Sequence, residues 1–470
     1  MGSEMHDVMI ISDDVVGEKM AGPGIRAWEL ARCLSRHFKV ILAIPDYSYK
    51  SNKTDFFTDL SFDVVSYSLK IPSFIQSVAE KSRIILTQGF ILSKFPGIKS
   101  LPVHLICDLY VPFPLENLFV HKAKIPDLKD REFIHHNDLR VFNEQLIYGD
   151  HFLCASQRQK DLFIGSLMSL NRVNPQILDS SPSLEDLISV VPFGISGEDA
   201  ADVESKVVRK RFPQIKEDDI LLLWGGVLSN WFDPVTLIKA FRDALEVKQN
   251  LKLFFLSTKH ANPLTPPFEM AREAVRISDE LNLTGSHVFF NEDWVAYSQR
   301  GAYFRDADIG VSIHKTHFET YFAFRTRILD YLKHGLPIIC TEGDYFAELV
   351  EREKLGIIVG SERRDELKNA IVTLASDSGL RTEIRVRIEK IREYFDWERV
   401  TEPLVRYCRK VLAGEIKKKS LPSRKDIAFI CSLRRESFLK KTAKKYIWLL
   451  FQRLPLSSGA KIRRLFKFMS

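Results

Sequence analysis

The sequence predicts an α/β protein of two successive doubly wound parallel-sheet lobes, followed by a basic helical C-terminal extension. Three observations carry that expectation. The chain has 470 residues, too many for one compact core. Short apolar runs alternate with helical stretches in two consecutive series. Positive charge is gathered at one end: from Lys417 onward sixteen Lys/Arg face only Asp426 and Glu436, so the rest of a chain of net charge +7 is mildly acidic.

The first series opens with HDVMIIS, an apolar run of strand length, then a loop, DDVVGEKMAGPG. In IRAWELARCLSRH, Ile25, Leu30 and Leu34 recur at helical spacing, and KVILAIP reads as a second strand. Strand, loop, helix, strand at this density is a parallel βαβ unit. RIILTQG, PVHLICD and DHFLCAS continue it, apolar on both faces as strands covered on both sides are. Residues 170–187, with two prolines and many polar side chains, read as an insertion or long loop, and VVPFGISGED as a connection between lobes.

The second series has strand-like DDILLLWGG, NLKLFFLS, HVFFNED, DIGVSIH, LPIICTEGD and GIIVG. Between them lie helical DPVTLIKAFRDALE, EMAREAVRISDEL, YSQRGAYFRDA, FRTRILDYLKHG and YFAELVEREK. Residues 363–413 are helical throughout. The expected division is a first lobe over 1–195, a linker over 196–214, a second lobe over 215–395, a crossover helix over 396–414 and a basic tail over 415–470. Sheets of this kind bind ligands at the carboxyl ends of their strands, which places a site in the cleft between lobes.

Composition narrows the function. With 45% hydrophobic and 27% charged residues the chain is ordinary globular material. The six cysteines are scattered, with no zinc spacing, so no metal site is expected and a reducing cytoplasm suits them. MGSEMHDVMIISDD lacks the features of a signal peptide, and no apolar run reaches the roughly 18 residues of a membrane span. No GxGxxG follows the first strand, which argues against a nicotinamide dehydrogenase.

Over HKTHFETYFAFRTRILDYLKHGLPIICTEGDYFAELV the sequence resembles the retaining glycosyltransferases of the glycogen-synthase-like family 4, which have the GT-B fold. AGPGIRAWELA, CDLYVPFPLEN, CASQRQKD, WGGVLSNWFDPVTLIKAF, DWVAYSQRGAYFRDADIGVS and FDWERVTEPLVRYCR extend the likeness over nearly all of residues 6–412, most like a bacterial cell-surface polysaccharide subgroup. The resemblance implies transfer from a nucleotide-diphosphate sugar with retention, without metal or cofactor, onto a glycan or lipid-linked acceptor.

It also implies site residues. Aligning the turn Gly335-Leu336-Pro337 puts Asp330 at the ribose hydroxyls and, displaced by three residues, Glu319 at the donor sugar, where it is otherwise a loop acid. The family's Arg and Lys after the first strand of the second lobe are missing: GGVLSNWFDP stands there. Arg325 and Arg327 are the nearest substitutes for gripping the diphosphate, Arg325 favoured, with Arg327 otherwise a partner of Asp330. Gly225 and Gly226 let backbone approach the phosphates. His314 is expected at the donor and Trp294 near the base or packed. In the first lobe, Gly22, Gly24 and Arg26 form a phosphate or acceptor loop, or a plain turn, and Asp108 orients or deprotonates the acceptor hydroxyl or caps a turn.

The tail pairs lysines with Tyr446, Ile447, Trp448 and Phe451. An anionic membrane surface, on the inner face of the membrane, is the first expectation for residues 417–470, then a partner protein; nucleic acid is disfavoured by the acidic body. The alternatives to glycosyl transfer are a nucleotide-sugar epimerase and a non-catalytic donor-binding scaffold.

Overall fold

The structure, a computed structural model, describes residues 5–51, 54–196, 206–260 and 268–418. The basic segment from 419 onward lies outside them, and with it the expectation of an interfacial helix.

The first lobe is a seven-stranded sheet of β1 (His6–Ile11), β2 (Val40–Pro45), β3 (Asp63–Tyr67), β4 (Ser82–Gln88), β5 (His104–Asp108), β6 (His151–Cys154) and β7 (Ile188–Val190), in spatial order β3-β2-β1-β4-β5-β6-β7. The second holds β8 (Ile220–Val227), β9 (Leu251–Ser257), β10 (Val288–Phe290), β11 (Ile309–Ser312), β12 (Ile338–Thr341) and β13 (Gly356–Val359), in order β10-β9-β8-β11-β12-β13. Their ladders are parallel, with registers such as Val8 opposite Val40 and Leu222 opposite Leu253. Helices cover both faces, so β2 and β9 are buried along their whole length.

The period of two along a strand divides the first core. Val8 and Ile10 pack on one face with Ala27, Leu30 and Leu34 of the helix Gly22–Leu34, while Met9 and Ile11 pack on the other with Ile75 and Ile91. The edge strand β3 alternates in burial, so its segment DVVSY lacks the continuous apolar run of the central strands. The stretch read as an insertion contains a short helix, Pro175–Ser180, whose cap Asn174 accepts from the Ile177 N–H, and it leads into β7.

The helix Trp397–Leu412 leaves the second lobe and packs on the helix Gly22–Leu34 and on β7 of the first. The two chain crossings run side by side: the Ile195 N–H donates to the Phe395 carbonyl (2.6 Å), and Ile195 pairs with Asp396. Five cysteines (33, 107, 154, 340 and 408) are buried and unpaired. Among the described residues no cluster of three His, Cys, Asp or Glu could hold a metal ion, and no helix is long and apolar enough to cross a membrane.

Candidate functional site

A cleft of about 680 Å³ separates the carboxyl ends of the two sheets. Gly22, Pro23, Trp28 and Glu116 line it from the first lobe; Gly225, Gly226, Trp231, Trp294, Arg327 and Asp330 are among those lining it from the second. Contacts between lobes close both flanks. On one, the Tyr297 hydroxyl donates to Glu29 (3.0 Å) and its N–H to the Glu18 carbonyl (2.7 Å). On the other, Phe119 stacks on His317 with ring centroids 3.8 Å apart, and Arg158 donates to the carbonyls of Tyr321 (3.1 Å) and Gly343 (3.0 Å) and pairs with Glu348.

The second-lobe wall is built around the end of β8. The ladder with β9 is broken between Trp224 and Val227, and Gly226 sits at φ 141°, a conformation side chains rarely adopt. Tyr331 fixes this turn from beneath, accepting from the Gly225 N–H (2.9 Å) and donating to the Val311 carbonyl (2.6 Å). Tyr331 lies on the helix Arg327–Lys333, so the same packing sets Arg327 and Asp330 beside the glycine turn.

Arg327 is the unusual group. Its side chain is 8% exposed, lies between the rings of Trp224 (4.4 Å) and Phe232 (3.9 Å), and donates through Nη2 to the Val227 carbonyl (3.1 Å). Nη1 is buried without a partner, and no carboxylate among the described residues pairs with it. Burial, with Arg325 adding repulsion, pulls its pKa down to about 10. A buried cation in this state is a ready anion site.

Both arginines line the cleft, but they differ in their partners. Arg325, favoured from sequence for the phosphate, lies just before the helix and faces Glu319 (3.4 Å) and Asp344 (3.8 Å). Asp330 does not pair with Arg327: it accepts from Arg300 (2.6 Å) and keeps its place on the cleft wall. Trp294 also lines the cleft, packed on His260 (5.6 Å), with its indole N–H buried and unpartnered.

Five expected site residues lie off the cleft surface. Arg26 and Asp108 are fully buried and form a two-pronged pair (2.5 and 2.9 Å), and Arg26 donates also to the carbonyls of Val191 (2.9 Å) and Pro192 (3.1 Å). Neither side chain faces the cleft, and together they tie helix, sheet and inter-lobe connection instead of standing as a phosphate ligand and an acceptor base on its surface. Gly24 serves packing, since a Cβ there would meet the Val15 carbonyl oxygen at 1.9 Å; Gly22, in open space, is the loop glycine that faces the cleft. Glu319 is 4% exposed and backs Arg325 instead of contacting a sugar. His314 is wholly buried, and burial, with Arg325 nearby, lowers its pKa to about 2, so it is neutral and inaccessible.

Sequence reasoning missed Glu116. It stands on the helix Phe113–Lys124, half-buried on the first-lobe wall. Burial, then repulsion from Glu319, raises its pKa to about 7 against the pull of Arg325. A carboxyl raised in the fold is worth most stability below its ordinary 4.5, and that contribution is lost as pH rises through 7. Glu116→Gln should therefore raise unfolding free energy at pH 8 by about 1–2 kcal/mol, allowing for partial exposure, and leave it unchanged at pH 4. Urea titrations at both pH values test this; equal effects at both would show that the fold does not retain the proton.

Residues 219–377 match a family model described as Glycosyl transferases group 1. No curated protein matches the chain. Among solved structures it is similar to Anabaena HepE in complex with UDP-glucose: 14% identity, 87% of this chain and 100% of that one, TM-score 0.62. A glycosyltransferase from Rickettsia africae gives 14%, 86% and 98% with TM-score 0.59, and sucrose-phosphate synthase from Thermosynechococcus elongatus 15%, 87% and 99% with TM-score 0.56. The two facing lobes thus have the GT-B fold, and the match to the glycosyl transferases group 1 model falls on the second.

Proposed function

We propose that this chain moves a glycosyl group from a nucleoside-diphosphate sugar, held by the second lobe, to an acceptor hydroxyl presented by the first, with retention at the anomeric carbon. The observation that carries the reading is Arg327: a buried guanidinium without a carboxylate, beside the open backbone of Gly226. A diphosphate supplies the charge this pocket lacks, and its negative charge grows as the sugar departs, so a cation fixed in advance favours the transition state. Asp330 takes the ribose hydroxyls and Trp294 flanks the base. The bound UDP-glucose of HepE, and the UDP-2-fluoro glucose of an E. coli structure of the same fold, support a nucleotide sugar as the donor class. Attack from the face of the leaving phosphate, without a metal ion, accounts for retention.

The setting is cytoplasmic synthesis of a cell-surface glycan on a glycan or lipid-linked acceptor, with residues 417–470 drawing the enzyme to the inner membrane face. Calorimetric titration with UDP, GDP and dTDP tests the donor site. One of them should bind, and Asp330→Ala should weaken it about tenfold, roughly 1.4 kcal/mol. Failure of a folded protein to bind any of the three would overturn the donor reading.

A further inference from the structure

Resting on that donor reading, we propose that Glu116 binds the acceptor, and that what it selects is a ring bearing adjacent hydroxyls, a sugar. Of the acids lining the cleft from the first lobe, Glu29 is occupied by Tyr297 (3.0 Å) and Arg32 (2.9 Å), whereas the Glu116 carboxyl makes no hydrogen bond or ion pair with the described residues.

Its position is held firmly. Three residues along the same helix face, Phe119 stacks on His317 of the second lobe, immediately before the turn Phe318–Phe322 that carries Glu319. One residue along, Asn117 donates to Asp138 (2.8 Å) on the helix Leu128–Tyr148. Lobe contact thus sets Glu116 into the field of Glu319 and Arg325, on the wall opposite the diphosphate pocket.

The chemistry follows from desolvation. An acceptor entering the cleft strips water from Glu116. An apolar group would leave the carboxyl buried and unsatisfied, which is costly, while two neighbouring hydroxyls offer it two donors. The carboxylate accepts both with charge-assisted bonds, whereas the protonated acid has lost its charge and turned one oxygen into a donor, so sugar binding should strengthen as pH rises through 7.

The test uses the full chain and the nucleotide sugar whose nucleotide binds. Release of nucleoside diphosphate is followed with methyl glucoside, galactoside, mannoside and N-acetylglucosaminide, and with cyclohexylmethanol as an apolar ring of similar size. At least one glycoside should accelerate release. Its KM should rise about tenfold in Glu116→Gln and Glu116→Ala, with the nucleotide Kd within about twofold of wild type. In wild type that KM should fall between pH 6 and pH 8, and in Glu116→Gln it should be flat. An unchanged glycoside KM in Glu116→Gln, acceleration by cyclohexylmethanol alone, or no acceleration by any glycoside would each overturn the proposal. Failure of the donor reading is separate: wild type would then bind no nucleotide.

Discussion

Arg327→Met should lower affinity for the nucleoside diphosphate by two to three orders of magnitude, about 3–4 kcal/mol, without unfolding the protein. The loss is large because the guanidinium is already buried and its Nη1 unpartnered, so its interaction with phosphate oxygens is charge-assisted and poorly screened. The protein survives because no ion pair is broken. Methionine gives up the bond to the Val227 carbonyl and the stacking on Trp224 and Phe232, but it also removes a charge buried without an ion-pair partner. Thermal melting without ligand should place the variant within a few degrees of wild type. Pyrophosphate should raise the wild-type melting temperature and leave the variant's unmoved, because stabilisation by a ligand follows from its binding the folded state. A variant that binds nucleotide as tightly as wild type would remove Arg327 from the donor site.

The second large effect concerns Arg26 and Asp108. Removing either partner leaves the other charged and enclosed, and Asp108→Ala or Arg26→Ala should cost about 3–5 kcal/mol of stability. The double substitution Arg26→Met with Asp108→Leu removes both charges at once and should recover most of that loss. It is also the decisive measurement of role. If the pair only joins the helix, β5 and the connection at Val191 and Pro192, the double variant binds nucleotide and turns over donor near the wild-type rate. Normal stability with turnover abolished would restore Asp108 to the chemistry.

These residues show what a sequence displays and what it conceals. The central strands could be read because strands covered on both faces are apolar at every position, as in KVILAIP and NLKLFFLS. The edge strand β3 and the three-residue β7 give weak runs. The turn Gly335-Leu336-Pro337 singled out Asp330 as a candidate and the helix it lies on singled out Arg327, and both line the cleft. Partners could not be located: Arg300 reaches Asp330 from another helix, and Arg26 meets Asp108 across 82 positions. Glu116 was invisible for the same reason, since its raised pKa comes from burial at the cleft wall and then from Glu319 on the opposite lobe.

The paired crossings at Ile195 and Asp396 have a mechanical consequence. Two lobes joined by one strand can swivel about any axis. Two crossings bonded to each other restrain that swivel, because neither can turn without breaking the bond to its neighbour. Phe119 and Glu116 stand on one helix and face His317 and Glu319 on one short turn, so these two contacts between lobes are made or lost together.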